Sequence, residues 1–370
     1  MHLVILYGAT VPCRITYLHK VGEKMTKEYG VVLIGCGHIG REHIQDIYYK
    51  KQIHIIGVVD VDPLRAQEFC TMFGADSCST DYRDYLTRSD VDIVIVATYV
   101  NTHLSIVKDC LSNKKHVICE KPIGRTMQEG KEFADIVKQS DCKVLISHVL
   151  RHNKTYQKVA QLIQEGVIGD LTLMRMVQNH HCKDWERYKR LMLDCSPVVD
   201  CGVHYMDVMQ WFAQSPIVKV DGFGSAIDSD LPEGQYNYGI IHVRLQNGCV
   251  GYYEVGWSKN LASSNLKEFI GLKGRISIIL NANRYKDVEE GDLIELYLNE
   301  TNEYRTINCK SEYKNMWGQM QKLIEMIETN APAVPTIDEV FSAFRVVMCA
   351  DSQIRKKEFA NMQESELKME

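Results

Sequence analysis

Apolar residues follow two rhythms along this chain. In the first half, short unbroken runs recur: Val31–Ile34, Ile53–Val59, Asp92–Ala97, Lys115–Cys119 and Val144–Ser147. Helically spaced segments lie between them. Ile39, His43, Ile44 and Ile47 make one, and Leu64, Phe69 and Phe73 a second, opened by Pro63. Leu104–Leu111 makes a third. Thr126 with Glu129 reads as a capping box that opens a fourth, through about Val137. Unbroken apolar strands separated by helices predict βαβ units and a parallel sheet covered on both faces.

The rhythm changes after Ser147. A helix is expected over Lys154–Glu165, a strand over Leu171–Val177, and a long loop or irregular helix over 179–195. Asp200–Phe212 reads as one helix. Then Ile241, Val243 and Leu245 alternate with polar residues, Asn247-Gly248 signals a hairpin, and Tyr253, Val255 and Trp257 alternate in turn. Phe269–Leu272, Ile276–Leu280 and Leu293–Tyr297 extend the set, and helices over 313–329 and 337–356 close the chain. This half is α+β with a mostly antiparallel open sheet. The expected organisation is an α/β nucleotide-binding domain over 30–148 and an α+β domain over 149–360. An extension (1–29) and a charged tail (361–370) flank them. In the extension, Leu3–Tyr7 is too short and too poorly flanked for a signal peptide. Met25 looks a more natural start, so 1–24 is expected to be loosely attached or disordered; an edge strand or an oligomer contact is the alternative.

Composition narrows the function classes. With 370 residues there is length for two cores. A net charge of −5 argues against a general nucleic-acid or anionic-membrane surface. No apolar run approaches the ~20 residues that span a bilayer. The 13 cysteines contain no C-x-x-C pair. They read as reduced structural thiols of a cytoplasmic protein.

Three places carry candidate chemistry. Gly35-Cys36-Gly37-His38-Ile39-Gly40 sits between a strand and a helix, the context a dinucleotide-binding glycine motif needs. Gly35 permits the tight turn, Gly37 lets a pyrophosphate approach, and Gly40 lets the helix pack closely. Asp60 ends the next strand 20 residues after Gly40, where a carboxylate accepts from ribose hydroxyls. No Arg or Ser follows it directly, which favours NAD over NADP. The second place is Glu120-Lys121-Pro122 at the carboxyl end of a parallel strand, where ligands of open α/β sheets bind. Lys121 can donate to a hydroxyl or carbonyl oxygen, and Pro122 fixes the turn. The third is Asp200, His204 and Asp207, spaced to share one helix face. A carboxylate beside an imidazole orients it and steadies its charge, as a general base for a hydroxyl proton requires. The same residues could be a capped helix start, or metal ligands completed by His180-His181-Cys182; hydride chemistry on a nicotinamide needs no metal.

These pieces together resemble the glucose–fructose oxidoreductase/inositol dehydrogenase (Gfo/Idh/MocA) family. The matching motifs are Gly35–Gly40, Val58-Val59-Asp60, Ala97-Thr98 with His103, His116–Pro122, Glu165–Gly169 and Asp200–Asp207, in family order over about 30–360. The resemblance implies a Rossmann domain joined to an α+β domain whose sheet mediates homodimers or homotetramers. It implies NAD(P)-dependent oxidation or reduction of a sugar, cyclitol or related polyol. It assigns Lys121 to polarising the reacting oxygen, His204 to acid/base work, and Asp200 to pairing with His204 or Lys121. The cofactor-contacting set it suggests is Gly35, Gly37, His38, Ile39, Gly40, Asp60, Thr98, Asn101, His103, Glu120 and Lys121. Two departures touch the cleft. Tyr99-Val100-Asn101 replaces the usual proline after Thr98, leaving Asn101 to cap the next helix. Asp194-Cys195-Ser196-Pro197 replaces a glycine-rich approach to Asp200. Arg151 is expected either to bind substrate or to salt-bridge between domains. Asn179–Arg190, with His180, His181, Trp185, Arg187 and Tyr188, is either a substrate loop or a solvated connection. Two rival functions stay open: a non-catalytic NAD-binding sensor, and NAD-assisted glycoside cleavage.

Overall fold

The computed structural model describes residues 27–280, 291–310 and 314–357. The expectations for 1–24 and for the tail from 361 lie outside the described residues. The first-half strands are β1 (Tyr29–Ile34), β2 (Ile53–Val59), β3 (Ser77–Ser79), β4 (Ile93–Val96), β5 (His116–Cys119) and β6 (Val144–Ile146). They form one parallel sheet in the order β3-β2-β1-β4-β5-β6. Every residue of β1 and β4 is buried, which is why these runs show no alternation. The short polar β3 is half-buried at the sheet edge and carries no apolar signal. Helices α1 (His38–Ile47), α2 (Pro63–Phe73), α3 (Arg83–Leu86), α4 (Val100–Ser112) and α5 (Met127–Gln139) make the crossovers. Strand order reverses between β1 and β4, so their carboxyl ends open a crevice.

The chain leaves this sheet through a 3₁₀ turn (Val149–His152) and α6 (Lys154–Gln164). The second sheet contains β7 (Leu171–His181), β8 (Ile217–Ser225), β9 (Tyr238–Leu245), β10 (Val250–Ser258), β11 (Lys267–Gly271), β12 (Gly274–Ile279), β13 (Asp292–Leu298) and β14 (Glu303–Cys309). Its order is β14-β13-β12-β11-β7-β10-β9-β8. Among the described residues the β7–β10 pair alone is parallel, and the other neighbours of this sheet pair antiparallel. The alternating residues Ile241, Val243, Leu245, Tyr253, Val255 and Trp257 are all buried, as a sheet with one packed face requires.

Three expectations for the middle of the chain change. β7 runs on to His181, because Gln178–His181 pair with Val255–Ser258 although the segment is polar. Residues 185–194 form a regular helix, α7 (Trp185–Asp194), capped by Asp184 accepting from Arg187 N–H. The single helix expected over Asp200–Phe212 is two: α8 (Pro197–Asp200) and α9 (Gly202–Ala213), parted at Cys201. Two closing helices, α10 (Met316–Thr329) and α11 (Ile337–Lys357), complete the chain. α11 packs on α9 and β8. α10 returns to the first sheet, where Met320, Leu323 and Ile324 join Val31, Leu33, Ile93 and Ile95 in one cluster. The partition at residue 149 is therefore one of sequence, and the late helix α10 belongs to the first core.

Candidate active site

The glycine turn leads from β1 into α1 at the crevice. Gly35 has φ +99, and a Cβ there would lie 2.4 Å from the carbonyl oxygen of Ala97. A Cβ on Gly40 would lie 1.9 Å from the Gly35 carbonyl oxygen. Gly37 differs, since a Cβ there would meet nothing within 4 Å. It N-caps α1 without a side-chain cap, so bare N–H groups face open space. That space fits a pyrophosphate. We expect Gly37→Val to keep its melting temperature within a few degrees while abolishing measurable dinucleotide binding by fluorescence titration. Gly35→Ala should instead lose stability, since a left-handed φ and a backbone contact both oppose its Cβ.

Asp60 is buried at the end of β2. Its Oδ2 accepts from Cys36 N–H at 2.9 Å and its Oδ1 from Asp62 N–H at 2.9 Å, which fixes the carboxylate beside the glycine turn. The absence of a nearby cation, read from the residues directly after Asp60, does not hold in space. One helical turn on, Arg65 places Nη1 3.8 Å from Asp60 Oδ2. Asp60→Ser should therefore weaken NAD and improve NADP together. A ribose bonded to a carboxylate is worth about 1.5–3 kcal/mol per hydrogen bond, roughly ten- to a hundredfold in affinity. Parallel titrations with both dinucleotides check this; an unchanged preference would contradict it.

Beyond β5, Glu120 turns inward and Lys121 toward the crevice. Burial resists ionisation of Glu120, but the hydrogen bond to His43 Nε2 at 2.8 Å and the charge of Lys121 pull its pKa to about 2. Lys121-Pro122 is a cis peptide. Lys121 Nζ donates to Asp200 Oδ1 at 2.8 Å and to the Asp200 carbonyl oxygen at 3.1 Å. Burial opposes its charge, yet Asp200 holds its pKa above the ordinary lysine range. The side chains remain 17% and 22% exposed, so the pair can meet a ligand. Thr98 Oγ1 is shared with Thr102 Oγ1 at 2.7 Å. His103 is buried, with Nδ1 3.0 Å from the Pro122 carbonyl and Nε2 3.1 Å from that of Thr98. Burial lowers its pKa, so the neutral ring donates to only one of these carbonyls while packed between the two loops. Asn101 is exposed inside α4, whose N-cap Tyr99 makes no side-chain cap, so the expected capping by Asn101 is not made.

Cys201, between the short α8 and α9, keeps a right-handed helical backbone, but the Asp200 and His204 side chains take different partners. Asp200 goes to Lys121, and His204 has no carboxylate on its ring. Asp200, His204 and Asp207 do not act as one cluster: Asp200 meets Lys121, Asp207 meets Arg151, and neither carboxylate reaches His204. His204 is half-buried with its Nδ1 wholly buried. Burial, with Lys121, His148 and Lys314 nearby, keeps its pKa well below the ordinary 6.5. Asp207 takes Arg151 Nε at 2.7 Å and Nη2 at 2.8 Å; Nη2 also meets Glu339 at 3.1 Å. The Arg151 guanidinium lies 4.7 Å over Trp211. Arg151 is ion-paired, but its partners Asp207 and Glu339 lie with it in the 149–360 segment, so the pair does not bridge the two expected domains.

In the segment 179–190, strand alternation separates neighbours. His180 turns inward, with Nδ1 3.1 Å from Tyr188 OH, and Tyr188 packs edge-on to Trp257 at 5.3 Å. His181 is exposed and meets the Leu261 carbonyl at 3.2 Å. Trp185 donates to Asp230 at 2.9 Å under Lys259. His180 and Tyr188, rather than His181 and Trp185, therefore flank the Asp200 side of the cleft. Two further residues escaped the sequence reading. His148 lies two positions past β6, at the edge where α/β sheets bind ligands. Lys314 precedes α10 and reaches Glu42 of α1 at 3.6 Å. The second could not be found from spacing, because it comes from the far end of the chain. Among the described residues no three His, Cys, Asp or Glu converge as a metal site.

A Rossmann sheet, a fitted glycine turn and a lysine–aspartate–histidine cluster define a dinucleotide-dependent oxidoreductase. Two family models match the chain: the GFO/IDH/MocA "Oxidoreductase family, NAD-binding Rossmann fold" over residues 29–148, and the "GFO/IDH/MocA C-terminal domain" over 156–277. The chain belongs to this family. It is 23% identical over 246 residues to myo-inositol 2-dehydrogenase of Thermotoga maritima, covering 66% of this chain and 73% of that one. It is 30% identical over 190 residues to inositol 2-dehydrogenase of Burkholderia ambifaria, covering 50% and 54%. Its fold matches apo scyllo-inositol dehydrogenase from Lactobacillus casei with a TM-score of 0.74 at 20% identity, over 90% of this chain and 97% of that one.

Proposed function

We propose that this protein is an NAD-dependent dehydrogenase acting on a secondary hydroxyl of a sugar or cyclitol. One observation carries the reading. Lys121 pairs with Asp200 just past the carboxyl end of β5 and its charge reaches His204, while Gly37 at the end of β1 leaves room for a dinucleotide. Bound there, NAD supplies a nicotinamide that accepts or returns a hydride. Lys121 donates to the reacting oxygen and steadies negative charge developing on it. Asp200 keeps Lys121 charged and in place. His204, neutral because burial disfavours its cation, takes the hydroxyl proton on its outward nitrogen. His180 and Tyr188 present a ring face and a hydroxyl on the far side of the cleft, as a polyhydroxylated ring would require. The relatives named above as inositol dehydrogenases support the substrate class, and favour turnover over the sensor reading.

A screen of cyclitols and sugars with NAD, read as reduced-dinucleotide absorbance and starting with myo-inositol, tests the proposal. Turnover of one class over the other identifies the substrate; no turnover across both would sink it. We also infer pairing with a second copy through the outer face of the second sheet, where Val218, Phe223 and Ile240 are exposed. Light scattering of the purified chain checks it, and a monomer would contradict it. The many free thiols fit a reducing compartment such as the cytoplasm. No helix among the described residues is long and apolar enough to cross a membrane.

A further inference from the structure

His204 has one ring nitrogen turned away from the cleft. This atom, Nδ1, is buried and makes no hydrogen bond. A histidine base needs a lone pair on the substrate side and its proton on the other nitrogen, usually fixed there by a hydrogen bond. A buried N–H without an acceptor is destabilising. The working site therefore calls for a partner to Nδ1.

The His148 ring stands edge-on to that of His204, with centroids 5.6 Å apart and planes at 78°. His148 is 1% exposed, and its own Nδ1 is likewise buried without a hydrogen bond. That nitrogen lies 3.6 Å from Asp207 Oδ2, beyond a hydrogen bond but beside the charge. Arg151 fixes Asp207 from behind. Two imidazoles and a carboxylate thus adjoin one another behind the cleft, and each ring has a buried nitrogen without a partner. An apolar ring at 148 would pack equally well against His204 and leave no buried nitrogen unmet, and such groups are rare.

We propose that His148 is the positioning residue of His204. A modest ring rotation lets His148 Nε2 accept His204 Nδ1–H, while His148 Nδ1–H closes on Asp207 Oδ2. His204 Nε2 is then left as the base. The inference rests on the acid/base reading of His204. The substrate O–H bond breaks and an N–H bond forms at His204 Nε2. The imidazolium so formed shares its Nδ1 proton with His148, and Asp207 balances the charge. The other charged groups around the pair fit this direction. Lys121 and Lys314 face His204 and repel a second cation there, whereas Asp207 lies inward. His152 is near His148 on the same turn, and Arg151 with Glu339 lies behind Asp207.

The test uses full-length protein labelled with ¹⁵N-histidine, without substrate. Wild-type His204 should give the Nδ1–H tautomer at neutral pH, and His148→Phe should lose that preference. His148→Phe should also lower kcat about 10²-fold with little change in KM. His148→Gln, which keeps an acceptor, should recover part of both signals. Thermal unfolding and NAD titration verify that the variants are folded. An unchanged His204 tautomer in both variants overturns the proposal. His204→Asn separates the two readings: if it keeps wild-type turnover, the base assignment itself fails, whatever the tautomer shows.

Discussion

Lys121→Met should lower kcat by about 10³-fold or more while leaving NAD affinity within a few-fold of wild type. The size follows from what the ammonium does. It is the cation in contact with Asp200, at 2.8 Å, and in the proposed reaction it donates to the reacting oxygen. Removing a preorganised donor to developing negative charge costs about 10²–10³ in rate. Methionine also leaves Asp200 a carboxylate without its cation, which repels charge building on a substrate alkoxide. Both effects act on the transition state, so kcat should fall far more than KM rises. Asp60 and the glycine turn are untouched, so dinucleotide binding serves as the control. Turnover within tenfold of wild type would remove Lys121 from the reaction.

The parts of this site that were legible in the sequence are those held within one element or its end. Gly35–Gly40 and Asp60 follow buried strands directly and Lys121 lies two residues past another, and unbroken apolar runs mark such strands clearly. The parts that were not legible depend on how elements meet. Asp200 and His204 are four residues apart, but Lys121, arriving from the end of β5, takes the Asp200 carboxylate at 2.8 Å and leaves His204 without one. Arg65 was passed over because it approaches Asp60 through helix geometry rather than adjacency. His180 and His181 are neighbours in sequence but point to opposite faces of β7, so a residue type alone could not say which faces the cleft. The α10 contribution to the first core arrives from nearly 300 residues away in sequence, with Tyr29 OH meeting Glu328 at 3.1 Å across 299 positions. No local pattern encodes such a contact.

His204→Asn should abolish turnover, by about 10²–10⁴-fold, the range a positioned acid/base group supplies. Asparagine keeps a polar side chain of similar reach but cannot exchange a proton. The wild-type pH profile supplies an independent check on the same residue. Burial comes first among the causes that depress the His204 pKa, followed by the charge of Lys121, so the ring stays neutral at pH values where a free histidine is already half protonated. A neutral ring is the competent form for taking a proton. In the alcohol-oxidising direction, kcat/KM should therefore stay flat as pH falls through 6.5, and decline only below it. Lys121→Met removes one of the cations that hold the proton off, so a residual acid limb in that variant should move upward in pH. A wild-type acid limb above 6.5, or an acid limb that persists unchanged in His204→Asn, would place the titrating base elsewhere in the cleft.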